Sequence, residues 1–211
     1  AIVINGSGTV TGLAVGGLPD GTVDAGTLAT DSVTAAKLEV SAITGADLPA
    51  GSVLQVVSVA KTDTFSGAQS ANSMSGTNVT NLIPAITPSS SSNKILVTVS
   101  VHLSSSAVSG TADVDKGFKL FRSGTAIATG ASAGSRTLIT AMQHHTNRDG
   151  QGNMSMTFLD SPSTTSEINY SIRLWNGGGG TNTMFVNRGS DGDGADTGRT
   201  ISTITLMEIA G

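Results

Sequence analysis

The sequence predicts an all-β protein in which a β-sandwich or jelly-roll head follows an extended, repetitive N-terminal segment. In the N-terminal quarter, an apolar residue recurs at every fifth position. Beyond residue 53 the pattern changes to short strands separated by turn residues. Hydrophobic residues make up only 37% of the 211 residues and 27 residues are glycine, so one chain has little apolar surface to bury. We therefore expect other copies of the chain to complete the core.

Charge and cysteine content argue against several classes of protein. The formal net charge is -4 and the 11 Lys and Arg residues are scattered singly, so nucleic-acid binding is not expected. The chain has no cysteine, which rules out disulfides and thiolate zinc sites. No run approaches the ~18 apolar residues of a membrane-spanning helix, so membrane insertion is not expected either.

The repeat unit of the N-terminal segment is ten residues long. From residue 18 the chain reads LPDGTVDAGT, LATDSVTAAK, LEVSAITGAD and LPAGSV, with Leu opening each decad and Val or Ile its second half. A spacing of five fits neither a helix nor a strand, so short turns must intervene. Such a row is buried only against copies of itself, unless the segment is a flexible linker, which has no reason to keep its aliphatics in phase. We call it the decad row: Leu18, Val23, Leu28, Val33, Leu38, Ile43, Leu48 and Val53.

Strand candidates recur at short spacing through the rest of the chain. Ser123 and Gly124 separate two of them and are typical of a hairpin turn. Eight or more short strands in about 155 residues favour two packed sheets. The candidates are residues 53–59, 94–103, 117–121, 126–129, 137–142, 154–159, 168–175, 183–187 and 201–209.

Four segments of the head resemble the terminal head domain of many phage fibre and virion proteins. They are ITPSSSSNKILVTVSV, GFKLFRSGTAIATG, FLDSPSTTSEINYSIRLW and STITLMEIAG, and the decads before them resemble the shaft of such fibres. The resemblance covers most of residues 18–211. It implies a homotrimer with jelly-roll heads, similar in outline to tumour necrosis factor-type and complement-type trimers. It also implies a structural protein on the tail or capsid surface of a virion. No large particle-docking domain is recognisable, which leaves the attachment point open.

We expect three regions along the chain: a particle-anchoring N-terminal segment (1–17), which is glycine-rich and almost uncharged, a decad-repeat shaft (18–53) and a β-sandwich head (54–211). The expected function is host-cell attachment by a trimeric phage tail fibre. A capsid decoration or head-fibre protein is the alternative, and a polysaccharide-degrading spike is a third possibility. The N-terminus is expected to bind a phage tail or capsid protein. Loops of the head are expected to bind a host surface glycan or protein.

The candidate receptor-binding residues of the head are Trp175, Asn176, His144 and Arg148. The chain has one Trp and one Tyr, and Tyr170 lies five residues before Trp175, so a regular strand points the two rings to opposite faces. An exposed Trp175 beside Asn176 is suited to stacking on a sugar ring. A Trp buried in the core is the favoured alternative.

Metal and catalytic candidates are few. His144 and His145 have side chains that bind metal ions, and so have Asp191, Asp193 and Asp196, although a polar hairpin loop and a solvated turn are the favoured interpretations. No nucleophile elbow is present. A glycosidase needs two carboxylates, and among 15 acidic residues a pair can always be found, so Asp113, Asp115, Asp160 and Glu167 are not evidence of an active site. We expect no enzymatic activity and no cofactor.

Overall fold

The structure is a computed structural model. It describes residues 28, 30, 32–34, 38, 43–106, 114–145, 150–190 and 198–211, and it gives the backbone alone for 3–4, 10–11, 46, 114 and 145. Within this part of the chain, no helix is long and apolar enough to cross a membrane. Several predicted residues lie outside the described residues: Leu18, Val23, Arg148, Asp191, Asp193, Asp196 and the side chain of His145.

The chain divides into two compact units, Ala1–Thr44 and Gly45–Gly211. In the first unit, β1 (Val3–Ile4) pairs antiparallel with β2 (Val10–Thr11). The decad-row members described in this unit are all exposed, by 43% to 58%. They are Leu28, Val33, Leu38 and Ile43.

The second unit opens with a short 3-10 helix, Gly45–Asp47, and a tight turn. The Ser52 amide donates to the Pro49 carbonyl at 3.1 Å, and Gly51 has a φ of 90°. A positive φ at the third position defines a type II turn, which explains the glycine there. The described part of this unit contains twelve strands: β3 (Val53–Lys61), β4 (Phe65–Gln69), β5 (Ser73–Met74), β6 (Ala85–Ile86), β7 (Lys94–Ser105), β8 (Val114–Arg122), β9 (Thr125–Ile127), β10 (Ala141–His145), β11 (Gly152–Asp160), β12 (Ile168–Asn176), β13 (Asn182–Val186) and β14 (Ser202–Ile209).

These strands form two antiparallel sheets. Each sheet has four rows, where a row is one long strand or two shorter strands that occupy the same position in the sheet. In sheet 1, β7 pairs with β11 along one edge and with β14 and then β13 along the other. The outermost row of sheet 1 is β3 followed by β4. In sheet 2, β8 pairs with β12 along one edge and with β10 and β9 along the other. The outermost row of sheet 2, beyond β12, consists of β5 and β6.

The order of pairing defines the fold. Counted along the chain, the first row (β3, β4) pairs with the eighth (β13, β14) and the second (β5, β6) with the seventh (β12). The third row (β7) pairs with the sixth (β11), and the fourth (β8) with the fifth (β9, β10). This nested pairing across two sheets is the jelly-roll topology. The all-β sandwich is confirmed, whereas the extended shaft and the trimer stay predictions.

Most predicted strands are present within a few residues of their predicted bounds. The predicted hairpin at Ser123 and Gly124 is confirmed, with φ values of 45° and 84° that fit a type I′ turn. The strand predicted at 137–142 is wrong in position, because β10 begins only at Ala141. The short strands β4, β5 and β6 were not predicted, because segments of two to five residues are too short to show a clear alternation.

The core lies between the two sheets, and β7 contributes most clearly to it. Ile95, Val97, Val99 and Val101 alternate along β7 and are all fully buried. They pack in one apolar cluster with side chains of β8, β12 and β14. Burial of each such side chain contributes about 1.5–3 kcal/mol. These four side chains therefore form the contribution of β7 to the inner face of sheet 1.

A buried carboxylate on β14 joins three segments of sheet 1. Glu208 is 1% exposed and accepts hydrogen bonds from Asn93 Nδ2 at 2.6 Å and from Gln55 Nε2 at 2.6 Å. It also accepts from the amide of Ser89 at 2.6 Å and from its hydroxyl at 2.8 Å. Burial alone would raise the pKa of Glu208, but these four hydrogen bonds outweigh burial and hold the pKa below its usual value.

Replacing Glu208 with Gln should lower the free energy of unfolding by about 1.5–3 kcal/mol, because an amide group would point a donor at existing donors. Since the folded-state pKa is lowered, the carboxylate stabilises the fold above its ordinary pKa of 4.5. That contribution is lost as the pH falls through the folded-state pKa. The deficit of E208Q in urea unfolding should therefore be large at neutral pH and shrink in acid. Glu167→Gln, at an exposed carboxylate, is the control, and equal stability of the two variants would contradict this assignment.

Candidate ligand-binding pocket

Trp175 lies on the outer face of sheet 2, away from the core. Its β12 neighbours Tyr170, Ile172 and Leu174 belong to the core cluster, so Tyr170 and Trp175 point to opposite faces, as the alternation predicts. Directly across the strands, Trp175 pairs with Gly117 on β8 and with Met74 on β5. Although it faces outward, Trp175 is only 8% exposed. Other parts of the head must therefore cover the indole.

Two glycines make room for the indole. A Cβ atom on Gly117 would lie 2.6 Å from the carbonyl oxygen of Ala141 and 3.2 Å from both Ile139 and Trp175. A Cβ atom on Gly177 would lie 2.6 Å from Cζ3 of Trp175 and 2.7 Å from Cβ of Asp115. Both approaches are closer than a side chain tolerates, so the indole packs directly on backbone at both positions.

A cavity of about 500 Å³ opens beside this ring. Part of its wall is the connection between β9 and β10, which runs across the outer face of sheet 2. The cavity has the size of a small-molecule site and combines apolar and polar groups. Its lining residues are Asn72, Asp115, Ser135, Arg136, Thr137, Ile139, Met142, Trp175 and Gly177.

Asp115 and His144 form the ordered polar contact of the pocket. They are directly opposite each other on β8 and β10, and His144 Nδ1 donates to Asp115 Oδ1 at 2.7 Å. Their side chains are 33% and 57% exposed, so both remain accessible to a ligand. Arg136, on the wall of the pocket, is exposed. An aromatic ring beside a carboxylate, an imidazole, a guanidinium and hydroxyl groups is suited to binding a polar ligand with an apolar face.

The pocket lies at one end of the sandwich. Asp160, which ends β11, accepts bonds from Arg122 Nη1 at 2.8 Å and from the Tyr170 hydroxyl at 2.7 Å. Asp160 also lies in register with Ile95, close to Val53 where β3 begins. Asp115 is seven residues from Arg122 along β8, which corresponds to about 23 Å of strand. The pocket and Val53 are therefore at opposite ends of the head.

Asn176 supports the pocket from inside. It is fully buried, and its Nδ2 donates to the carbonyls of Gln69 at 3.0 Å, Ser70 at 3.2 Å and Gly180 at 3.1 Å. Its Oδ1 accepts from the Gly178 amide at 3.0 Å and from Asn182 Nδ2 at 3.1 Å. The surface contact predicted for Asn176 is thus replaced by a structural role, in which it holds the glycine-rich loop behind Trp175.

The predicted site residues are only partly brought together. Trp175 lines the pocket and His144 adjoins it through Asp115, whereas Arg148 lies outside the described residues. Among the described residues, no group of three or more His, Cys, Asp or Glu is placed to hold a metal ion. Sequence reasoning did not select Asp115 and Arg136 as binding residues. Gly117 in the middle of a strand was an available signal, since an interior glycine marks a close approach.

Comparisons with known proteins gave distant structural similarities. No protein family and no curated protein matches the chain. A solved structure described as infectious bursal disease virus Gt strain is 11% identical to this chain, with a TM-score of 0.34. The match covers 74% of this chain and 38% of the viral chain. The VP2 subviral particle of the same virus is 12% identical with a TM-score of 0.31, covering 74% and 41%. The chain thus spans less than half the length of either.

Replacing Gly177 with Ala should displace the indole and change the fluorescence emission of the only Trp in the chain. Overpacking of this kind costs about 1–3 kcal/mol, so the melting temperature should fall as well. Gly179→Ala in the same loop is the matched control, because nothing lies within 4 Å of an added Cβ there. Identical emission spectra for the two variants would contradict the packing described here.

Proposed function

We propose that this chain is a non-enzymatic structural protein of a virus particle, a trimeric phage tail fibre that attaches to host cells through the pocket beside Trp175. In this proposal the decad-repeat segment is the shaft and the jelly roll is the head. Residues 1–17 bind a tail or capsid protein, so the protein is located on the virion surface. A host surface glycan or protein binds the head.

The observation that carries the proposal is the exposure of the decad row. Its six described members are 39% to 58% exposed in the single chain. Isolated exposed aliphatic side chains are common. A row in strict register, however, exposes apolar surface to water at a cost in free energy, and a partner that buries the row removes this cost. Copies of the same row are the natural partner, because they carry the same spacing. The trimeric state follows from the resemblance to phage fibres.

The position of the pocket supports an attachment role. The pocket lies at the end of the head opposite Val53, where β3 begins. Binding residues are commonly held on loops above a rigid scaffold, as the β9–β10 connection is here. The open shape and the mixed aromatic and polar lining suit part of a glycan or an extended protein segment.

An enzymatic spike has less support among the described residues. Asp160 is bound by Arg122 and Tyr170, and Asp115 is bound by His144. The remaining carboxylate named in the sequence analysis and described here, Glu167, is exposed on a loop. We therefore propose binding without hydrolysis. Release of soluble sugar from host envelopes by the purified protein would overturn this part of the proposal.

Charges placed in the decad row should disrupt assembly. Purified protein should have about three times the chain mass of 21.0 kDa by light scattering. Leu28→Asp with Val33→Asp should reduce or abolish the trimer, because carboxylates in an apolar seam lack partners. Thr30→Asp with Thr34→Asp is the matched control, since both threonines are exposed and out of phase with the row. A wild-type monomer, or a fully stable trimer of the row variant, would refute the seam.

Substitutions at the pocket should impair adsorption and leave assembly intact. Arg136→Ala with Thr137→Ala should weaken binding of labelled trimers to host cells by roughly tenfold or more, the equivalent of about 1.4 kcal/mol. Arg199→Ala with Thr125→Ala, both exposed and away from the pocket lining, is the control. Normal adsorption of the pocket variant would refute attachment through this pocket. If particles carrying that variant also became fragile, a capsid decoration or head-fibre role would replace it.

A further inference from the structure

The outer face of sheet 1 carries three rows of side chains that span all four strands. The strand register aligns them across β11, β7, β14 and β3, and outward-facing positions alternate with core positions on each strand. None of the twelve is Asp, Glu, Lys, Arg or His. The rows are Leu159, Leu96, Met207 and Val56; then Thr157, Thr98, Thr205 and Ser58; then Ser155, Ser100, Thr203 and Ala60.

This composition is unusual for a sheet face in contact with water. The outer face of sheet 2 carries charges, among them Asp115, Lys119 and Arg173, and Arg173 stacks over Phe121 at 4.2 Å. On sheet 1, by contrast, the hydroxyl groups of Ser58 and Thr205 bond to each other at 2.8 Å. Depletion of charge is the compositional mark of the centre of a protein interface. The nearest titratable side chains on this face, Lys94 and His102, lie at its two ends.

The apolar row of this face is continuous with the end of the decad row. Val53 is the last decad residue, and it pairs with Ile209 on β14. Ile209 and Met207 face outward together, and Met207 pairs with Val56. Val53 and Val56 are 52% and 56% exposed. A copy of the chain that covers the end of the decad row would therefore extend onto this face without a break.

The size of the face shows that it cannot hold copies together alone. Four strands about 4.8 Å apart and about six residues at 3.3 Å each cover roughly 400 Å². A stable interface usually buries about 800 Å² from each partner. The face covers about half of that area, so association through it also depends on contacts made elsewhere, for which the decad row is the candidate.

We propose that the outer face of sheet 1 is the surface through which the heads of neighbouring copies pack. The occupant is another copy of this chain, and the proposal rests on the oligomer proposed above. Each head then meets its neighbours through sheet 1 and leaves sheet 2, with the pocket, open to solvent.

The absence of cysteine makes a clean test possible in the full-length chain. Thr157→Cys lies on the proposed interface and Thr125→Cys lies on β9 of sheet 2, and both threonines are exposed in the single chain. In the purified oligomer, a water-soluble maleimide should label Cys at position 157 at least about tenfold more slowly than at position 125, because an interface centre excludes water. In urea the two rates should be equal.

Light scattering on the same samples separates the two proposals. A monomeric protein would overturn both the proposed oligomer and the interface. An oligomer in which position 157 reacts as fast as position 125 would overturn the interface alone. As a second measure, Thr157→Arg should lower the mass observed at low protein concentration, whereas Thr125→Arg should not. Unchanged assembly of Thr157→Arg would also count against the interface.

Discussion

The alternation of β7 is the constraint on which the rest of the head depends. This strand pairs along both edges, so its two sets of side chains decide what lies on each side of sheet 1. Its fully buried Ile and Val residues fill the core, and its outward residues include Leu96, Thr98 and Ser100, with Lys94 and His102 beyond them at the two ends. A shift of one residue in register would exchange the two sets. The core of the sandwich and the charge-free centre of its outer face are thus specified by the same strand.

The two outer faces of the sandwich have different chemistry, although each belongs to a four-row sheet whose other face packs on the core. The centre of the outer face of sheet 1 carries no charged side chain, whereas sheet 2 carries an indole, ion-pairing groups and a covering connection. The position of the indole depends on two glycines that pack against it and on Asn176, which holds the loop next to it, so several residues serve to place one side chain. A jelly roll alone requires none of these features. They are explained more readily if sheet 2 binds something and sheet 1 is covered.

Most of the fold was predictable because long strands such as β7, β12 and β14 alternate strictly in the sequence. The pairing order was not, since two-residue strands such as β5 and β6 leave no pattern. The site was predictable only in part. Trp175 stands out as the single Trp, but its partners Asp115 and Arg136 come from segments distant in the chain. The burial of Asn176 depends on carbonyl groups of two other loops, which composition does not reveal.

The placement of the pocket and Val53 at opposite ends of the sandwich has a mechanical consequence. A pull between them runs parallel to the strands, so it loads the ladder between β3 and β14 in shear. Under shear the hydrogen bonds of a ladder share the load and must fail together, whereas peeling breaks them one at a time. The strand joined to the decads is nine residues long and pairs with β14 along nearly its whole length. Such a head should resist tension between the pocket and Val53 better than tension directed across the strands.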